Sequence, residues 1–206
     1  MTLLGLIIGF TFSMALNRYD QRKNYEEQEA NAIGTEYVRA DLLPAASAEH
    51  ARALLRTYTD QRILFYDTRD DRKIQTINAE TARLQADLWS AVRGPASAQP
   101  DAVVALVVAG MNDVLNSQGY TQAAWWNRIP TEAWVLMGMI AICGNMMLGY
   151  GAKGVKSQPF LIFIPLVTAI AFSLIADIDS PRGGLIKVRP QNLLGLSDSI
   201  GRAKPG

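Results

Sequence analysis

Two long uncharged runs in the C-terminal half of the chain constrain its fold more than any other feature. Residues 133–150 (AWVLMGMIAICGNMMLGY) and 159–176 (PFLIFIPLVTAIAFSLIA) contain no acidic or basic side chain. At about 1.5 Å per helical residue, each run nearly crosses the ~30 Å hydrocarbon core of a bilayer. Buried helices of a soluble core usually show a polar stripe, which these runs lack. Because the link between them is short, we predict a transmembrane helical hairpin at 131–177.

A shorter apolar run, Leu3 to Leu16, opens the chain. Its length is below the ~17 residues of a full span. A secretory signal carries positive charge before its apolar run, whereas here Arg18, Arg22 and Lys23 follow it. This order predicts a short, uncleaved anchor helix at 1–16.

Basic residues indicate the orientation of the predicted spans. Those on one side are Arg18, Arg22, Lys23, Arg128, Arg182, Lys187 and Arg189, against Lys153 and Lys156 in the hairpin link. Loops rich in Lys and Arg stay in the cytoplasm. The polar segment 17–130 and the C-terminal tail 178–206 are therefore expected to be cytoplasmic.

The polar segment shows helical periodicity throughout. A helix from Tyr19 to Leu42 should stop near Pro44, and amphipathic helices are predicted within 51–66 and 74–92. The segment GPASAQP (94–100) is expected to form a loop, and Asp101 to cap the next helix, which includes VVALVV. With no alternating strand, the fold class is an all-α membrane protein with a cytoplasmic helical domain.

The composition argues against several functions. With 20 basic and 19 acidic residues, the chain offers no general basic surface for nucleic acid. A single His50 and a single Cys143 leave no usual zinc set or Cys/His pair, and Asp177-x-Asp179 lacks the later residues of a calcium loop. No phosphate-binding glycine loop or nucleophile elbow occurs. We therefore expect no enzyme activity, cofactor or metal.

A polar stalk is predicted on the helix that follows the N-terminal anchor. Its candidate residues are Glu29, Asn31, Gly34, Tyr37 and Arg39. Glu29 shares a partly apolar face with Tyr37, so it needs a partner. We predict that Glu29 and Asn31 pair with basic groups such as Arg62 and cap neighbouring chain ends. The alternative is an ion-attracting vestibule near the membrane. Gly34 would allow another helix to approach closely.

Small and polar side chains share one face of the first hairpin helix. They are Gly138, Ala141, Asn145 and Gly149, at steps of three and four residues. Such a stripe lets helices pack closely in lipid, and an intramembrane asparagine needs a helix, a symmetry mate or water beside it. Helix packing and pore lining both stay open for these residues, and for Pro165 and Thr168 in the partner helix.

Carboxylates end the second hairpin helix, where the helix dipole disfavours negative charge. We predict an interfacial ion-pair cluster formed by Arg128, Asp177, Asp179, Arg182 and Arg189. Trp125 and Trp126 directly precede the hairpin and are expected to lie in the aromatic belt at the headgroup level.

Two longer motifs carry a family resemblance. They are EANAIGTEYVRADLLP (29–44) and DIDSPRGGLIKVRPQNL (177–193), supported by Asn112, by the Arg128-Ile129-Pro130 entry to the hairpin and by Gly149-Tyr150. From about Leu3 to Leu196 the chain resembles the bestrophin-like domain family of bacterial membrane proteins, which is distantly similar to pentameric anion channels.

The resemblance implies a multi-pass protein of the bacterial inner membrane, surrounded by lipid. It further implies a homo-oligomer that passes or regulates a small anion such as chloride. The alternative is a membrane-tethered scaffold or regulator whose cytoplasmic helices, around Tyr58 and Trp89, bind a protein partner.

Overall fold

The computed structural model describes residues 2–98, 100–151 and 158–202, and nearly all of them are helical. The helices in these ranges are α1 (Thr2–Arg39), α2 (Ala45–Asp67), α3 (Asp71–Ala98), α4 (Ala102–Trp126), α5 (Thr131–Gly151), α6 (Gln158–Asp179) and α7 (Gln191–Arg202). A 3-10 turn at Ala40–Leu42 follows α1. No strand occurs in the described ranges, so the predicted all-helical class is confirmed.

The chain forms two compact units. Unit 1 comprises Met1–Gln21 and Trp126–Lys187, and unit 2 comprises Arg22–Trp125 and Val188–Gly206. α1 belongs to both, and its helix is continuous from Thr2 to Arg39. The predicted division of the chain at residues 16, 130 and 177 stays a prediction.

Unit 1 is built from the first part of α1 together with α5 and α6. Its small core consists of Ala15, Ile129, Ile175 and Ile178. Trp134 near the start of α5 packs edge-to-face on Phe172 near the end of α6, with ring centroids 6.5 Å apart. Two stretches are long and apolar enough to cross a membrane, one within Ala102–Gly151 and the other at Ile162–Asp179.

Unit 2 packs α2, α3, α4 and α7 around the second part of α1. Apolar side chains fill most of its core, including Ile33, Leu55, Leu88, Met111 and Leu193. The VVALVV run is helical, as predicted. Asp101 Oδ1 accepts hydrogen bonds from the backbone N–H of Val103 and Val104, both at 2.8 Å, which confirms the predicted cap of α4.

Two elements differ from the sequence-based expectation. α3 continues to Ala98, so the loop predicted to begin at Gly94 is wrong. Pro95 lies close to the end of α3, where it removes only one backbone hydrogen bond, and Val92 remains fully buried beside it. α7 was not predicted, although Pro190 directly precedes it and Leu193, Leu196 and Ile200 follow at helical spacing.

Candidate functional site

One face of α1 within unit 2 buries charged side chains where a helix usually buries apolar ones. This charged seam consists of six positions at alternating steps of four and three residues, and it ends in the 3-10 turn that follows α1. The positions are Arg22, Glu26, Glu29, Ile33, Glu36 and Ala40, and each is at most 1% exposed. Charged side chains are almost never fully buried unless they are paired. A seam with four of them therefore marks a candidate functional site.

Glu29 is the centre of the best-paired part of the seam. Its carboxylate accepts hydrogen bonds from Arg62 Nε, from Tyr66 Oη at 3.2 Å and from Thr121 Oγ1 at 3.1 Å. The guanidinium of Arg62 also lies 4.4 Å from the ring centroid of Phe65. The predicted pairing of Glu29 with Arg62 is thus confirmed, and the pair is fully buried.

The electrostatics of this network keep its tyrosines and its arginine in one protonation state. Burial, together with the charge of Glu29, raises the pKa of both the Tyr58 and Tyr66 hydroxyls. For Arg62, burial lowers the pKa and Glu29 raises it, with a net upward shift. The tyrosine hydroxyls therefore stay protonated and the guanidinium stays charged, so this part of the seam is a fixed structural network.

Glu26 connects the seam to α7. Its Oε1 accepts hydrogen bonds from the backbone N–H of Asn192 at 3.0 Å and of Leu193 at 2.9 Å, and its Oε2 accepts one from Asn192 Nδ2 at 2.6 Å. The first N–H groups of a helix have no partner within the helix, and the helix dipole favours a negative charge there. The carboxylate of Glu26 is therefore the N-terminal cap of α7.

Two further contacts hold α7 on α2. Ser197 Oγ donates to Asp60 Oδ1 at 3.1 Å, and Arg56 Nε donates to the carbonyl of Ile200 at 3.2 Å. At the other side of the seam, Arg22 Nε donates to the carbonyl of Ala124 in α4 at 3.2 Å. The seam thus contacts α2, α4 and α7 of unit 2.

The predicted stalk residues do not converge on one site. Glu29 is buried, whereas Asn31 is exposed and lines, with Arg39, a groove of about 680 Å³ between α1 and α7. A Cβ added to Gly34 would lie 3.1 Å from Leu196 Cδ1, so Gly34 does allow a close helix approach, here by α7. Tyr37 is buried and faces α2.

Tyr37 lies between two arginines that the sequence analysis missed. The guanidinium carbons of Arg52 and Arg56 are 5.5 and 5.3 Å from the centroid of its ring. Arg56 Nη2 donates to Tyr37 Oη, and Arg52 pairs with Asp41. The arginines are already engaged, so this cluster stabilises the end of α1.

The small-residue stripe of α5 is uncovered at Gly138 and Gly149 within the described part of one subunit. No side chain of the described residues lies within 4 Å of a Cβ added to either glycine, whereas Ala141 between them is buried. Asn145 Nδ2 donates to the carbonyl of Ala141 at 2.8 Å, and no described residue donates a hydrogen bond to its buried Oδ1. The stripe therefore has one unsatisfied polar atom at its centre.

The two candidates on α6, Pro165 and Thr168, lie three residues apart on the same helix. Thr168 is buried, and its hydroxyl donates to the carbonyl of Ile164 at 2.9 Å. Pro165 is exposed, and α6 continues through it. Thr168 therefore satisfies a carbonyl of its own helix next to the proline.

The carboxylates at the end of α6 find partners that the prediction did not include. Asp177 accepts hydrogen bonds from the backbone N–H of Leu185 at 2.7 Å and of Ile186 at 2.9 Å. Asp179 accepts one from the backbone N–H of Ile129 at 3.0 Å and pairs with Arg18 at 3.5 Å.

Among the basic residues predicted for this cluster, Arg128 and Arg189 are exposed, and Arg182 is half-buried. The predicted ion-pair cluster stays a prediction, and the contacts above add backbone N–H groups and Arg18 as partners of the two carboxylates. Backbone donors are not visible in a sequence pattern.

The tryptophan pair before the hairpin is divided between two environments. Trp125 is 3% exposed and packs on Phe65 and Tyr66, with ring centroids 5.1 and 5.5 Å apart. Its predicted place in an aromatic belt is therefore wrong. Trp126 is 74% exposed, as an interfacial residue would be.

The described residues hold no group of three or more His, Cys, Asp or Glu side chains that could bind a metal ion.

The seam itself could have been found from sequence, since heptad spacing links Arg22, Glu29 and Glu36. What the spacing could not give is the partner of each charge.

The fold and the site together define an all-helical protein with apolar helices in one unit and a charged helical seam in the other. The chain belongs to the Bestrophin-like family, because the model of the Bestrophin-like domain matches residues 2–193. The resemblance stated from the sequence is thereby confirmed. No curated protein matches the chain.

Solved structures share this fold. A bacterial bestrophin homologue from Klebsiella pneumoniae aligns with a TM-score of 0.74 at 16% identity, covering 98% of this chain and 82% of that one. A variant of that homologue gives a TM-score of 0.74 at 15% identity, with 98% and 80% covered. At this level of identity the likeness shows a common fold.

Proposed function

We propose that this protein is a multi-pass membrane protein whose copies assemble into an oligomer that passes small anions such as chloride, or regulates their flow. The observation that carries the proposal is the Bestrophin-like match over residues 2–193. That family is distantly similar to pentameric anion channels.

The exposure of the apolar helices supports a membrane location. Only 11% of the apolar window within Ala102–Gly151 and 22% of that at Ile162–Asp179 is buried. A core helix of a soluble protein would be mostly buried, so lipid is the environment that fits these faces. We place the transmembrane hairpin at 131–177, and the contact of Trp134 with Phe172 agrees with two antiparallel helices.

The proposed orientation in the membrane rests on the distribution of the basic residues. Arg18 and Arg128 flank the apolar segments on the side that we assign to the cytoplasm of a bacterial cell. The polar helical domain would then be cytoplasmic. Lys153 and Lys156, the basic residues predicted for the opposite side, lie outside the described residues.

An anion path requires several copies of the chain. The few apolar helices of one subunit cannot enclose water by themselves, and no described residue covers Gly138 or Gly149 of the stripe. The buried Oδ1 of Asn145 needs a donor, which a symmetry-related helix or pore water could supply. Oligomerisation would therefore complete the stripe.

The test is anion flux into liposomes that contain the purified protein, followed with an anion-sensitive dye. We expect flux with the wild type and altered flux with Asn145→Leu, because the substitution removes the polar atom from the stripe. Met146→Leu is the matched control, since Met146 is 69% exposed on the same helix turn. Folded, inserted wild-type protein without flux would contradict the proposal.

One observation favours a tethered regulator as the second candidate. A groove of about 540 Å³ between α3 and α4 is lined by Trp89, Ala105 and Val108, and Leu106 beside it is 52% exposed. For this candidate, we expect crosslinking in cells to capture a protein partner. We expect Ala105→Gln to abolish that capture. Flux without any partner would favour the channel instead.

A further inference from the structure

Glu36 differs from the other charged members of the seam. Both of its carboxyl oxygens are buried, and neither has a hydrogen-bond partner in the part of the chain that the structure describes. The side chain is 1% exposed. By contrast, Glu26 and Glu29 each accept three or more hydrogen bonds. An ionised carboxylate in the place of Glu36 would lack both water and donors.

The space around this carboxyl is closed by α4. A Cβ added to Gly110 would overlap Glu36 Oε2, so the carboxyl lies directly against the backbone of α4 at Gly110. α1 and α4 also meet at Arg22 with Ala124 and at Glu29 with Thr121, which shows that the two helices run antiparallel along the seam. Glu36 therefore lies where the backbones of two helices come close together.

The charges that face the carboxyl oppose each other. Arg39, one turn further along α1, favours the ionised form, and Asp113 on α4 disfavours it. Arg39 makes no ion pair with Glu36 in the described structure. A Cβ added to Gly110 would overlap Arg39 Nη1 as well as Glu36 Oε2, so both side chains lie against the same backbone position of α4. Burial outweighs both charges and raises the pKa of Glu36 to about 8. At neutral pH the carboxyl is therefore mostly protonated.

We infer that Glu36 is a proton-operated switch on the packing of α1 against α4. The neutral carboxyl permits the close contact at Gly110. When the proton is lost, the new charge must reach water or Arg39, and the contact with α4 opens. This inference concerns the helices of unit 2 and does not depend on ion conduction.

Two measurements on the full-length protein in nanodiscs test the switch. Infrared difference spectra follow the C=O stretch of a protonated carboxyl, and hydrogen exchange, corrected for the intrinsic effect of pH, follows the backbone of α4 around Gly110. Both are recorded from well below to well above pH 8. Glu36→Gln keeps the shape of the side chain but cannot ionise, and Glu49→Gln is the matched control on an exposed glutamate.

We expect a protonated-carboxyl band that disappears across this range and is absent in Glu36→Gln. Exchange in α4 should rise over the same range in the wild type and in Glu49→Gln, and stay constant in Glu36→Gln. A wild type without the band, or with a band that survives in Glu36→Gln, overturns the inference. A band that titrates while exchange in α4 stays constant also overturns it, because the proton would then move no helix.

Discussion

A buried charge is stable only where the chain supplies opposite charge and hydrogen bonds, and the seam of α1 shows how local that supply is. Glu29 has Arg62, Tyr66 and Thr121 around it, whereas Glu36, two turns later on the same face, has no hydrogen-bond partner among the described residues. Two glutamates of similar burial should therefore respond differently to substitution.

Replacing Arg62 by methionine should destabilise the protein strongly. The substitution leaves the charge of Glu29 buried without its counter-charge, which typically costs about 3–5 kcal/mol. Denaturant unfolding of the solubilised protein measures the loss. The matched control is Arg83→Met, whose partner Glu80 is three residues away on the surface of α3, and no measurable change is expected there. Equal stability of the two variants would contradict the assigned role of the Glu29 pair.

Glu36 predicts a particular pH dependence of stability. Its pKa is about 8 in the folded protein and near 4.5 for an exposed carboxyl, so the folded state binds the proton more tightly. The stabilisation is fully present below pH 4.5 and is lost as the pH rises through 8. The wild type should therefore lose stability relative to Glu36→Gln over this window, as measured by denaturant unfolding at each pH. Parallel curves for the two proteins would show that Glu36 has an ordinary pKa.

Among the helices, α7 depends most on a single side chain from elsewhere in the chain. Its first N–H groups bind Glu26 of α1, and two further hydrogen bonds connect it with α2. Replacing Glu26 by glutamine removes the negative charge of the cap. It also places an amide NH₂ group next to the N–H donors at the start of α7.

The expected result for Glu26→Gln is a local loss of about 1–2 kcal/mol in the stability of α7. Hydrogen exchange within Gln191–Arg202 measures this loss. Glu27→Gln, a neighbouring exposed position, should leave exchange in α7 unchanged. If both variants behave like the wild type, the cap does not hold the helix.

Elements with local signals were predictable, and those that depend on distant partners were not. The cap at Asp101 and the helical course of VVALVV follow from neighbouring residues. The pairing of Glu29 with Arg62 was predictable because each interrupts an apolar face and their charges are opposite. The closeness of Gly110 to Glu36 depends on how α1 and α4 pack, which no spacing within either helix reveals.

At the scale of the whole molecule, the two units differ in what surrounds them. Unit 2 buries a charged seam together with an apolar core, whereas the apolar helices of unit 1 leave large side chains such as Ile142, Met147 and Ile162 more than 60% exposed. A single subunit therefore presents an exposed apolar surface and a partly uncovered small-residue stripe. A membrane and further copies of the chain would cover both.

The mass of the complex in nanodiscs, by native mass spectrometry with lipid subtracted, tests the central claim most directly, because an anion path needs several copies of the chain. We predict a discrete ring-sized oligomer of about five copies, closed by cyclic symmetry. A clean monomer would contradict the channel and leave the tethered regulator as the better account.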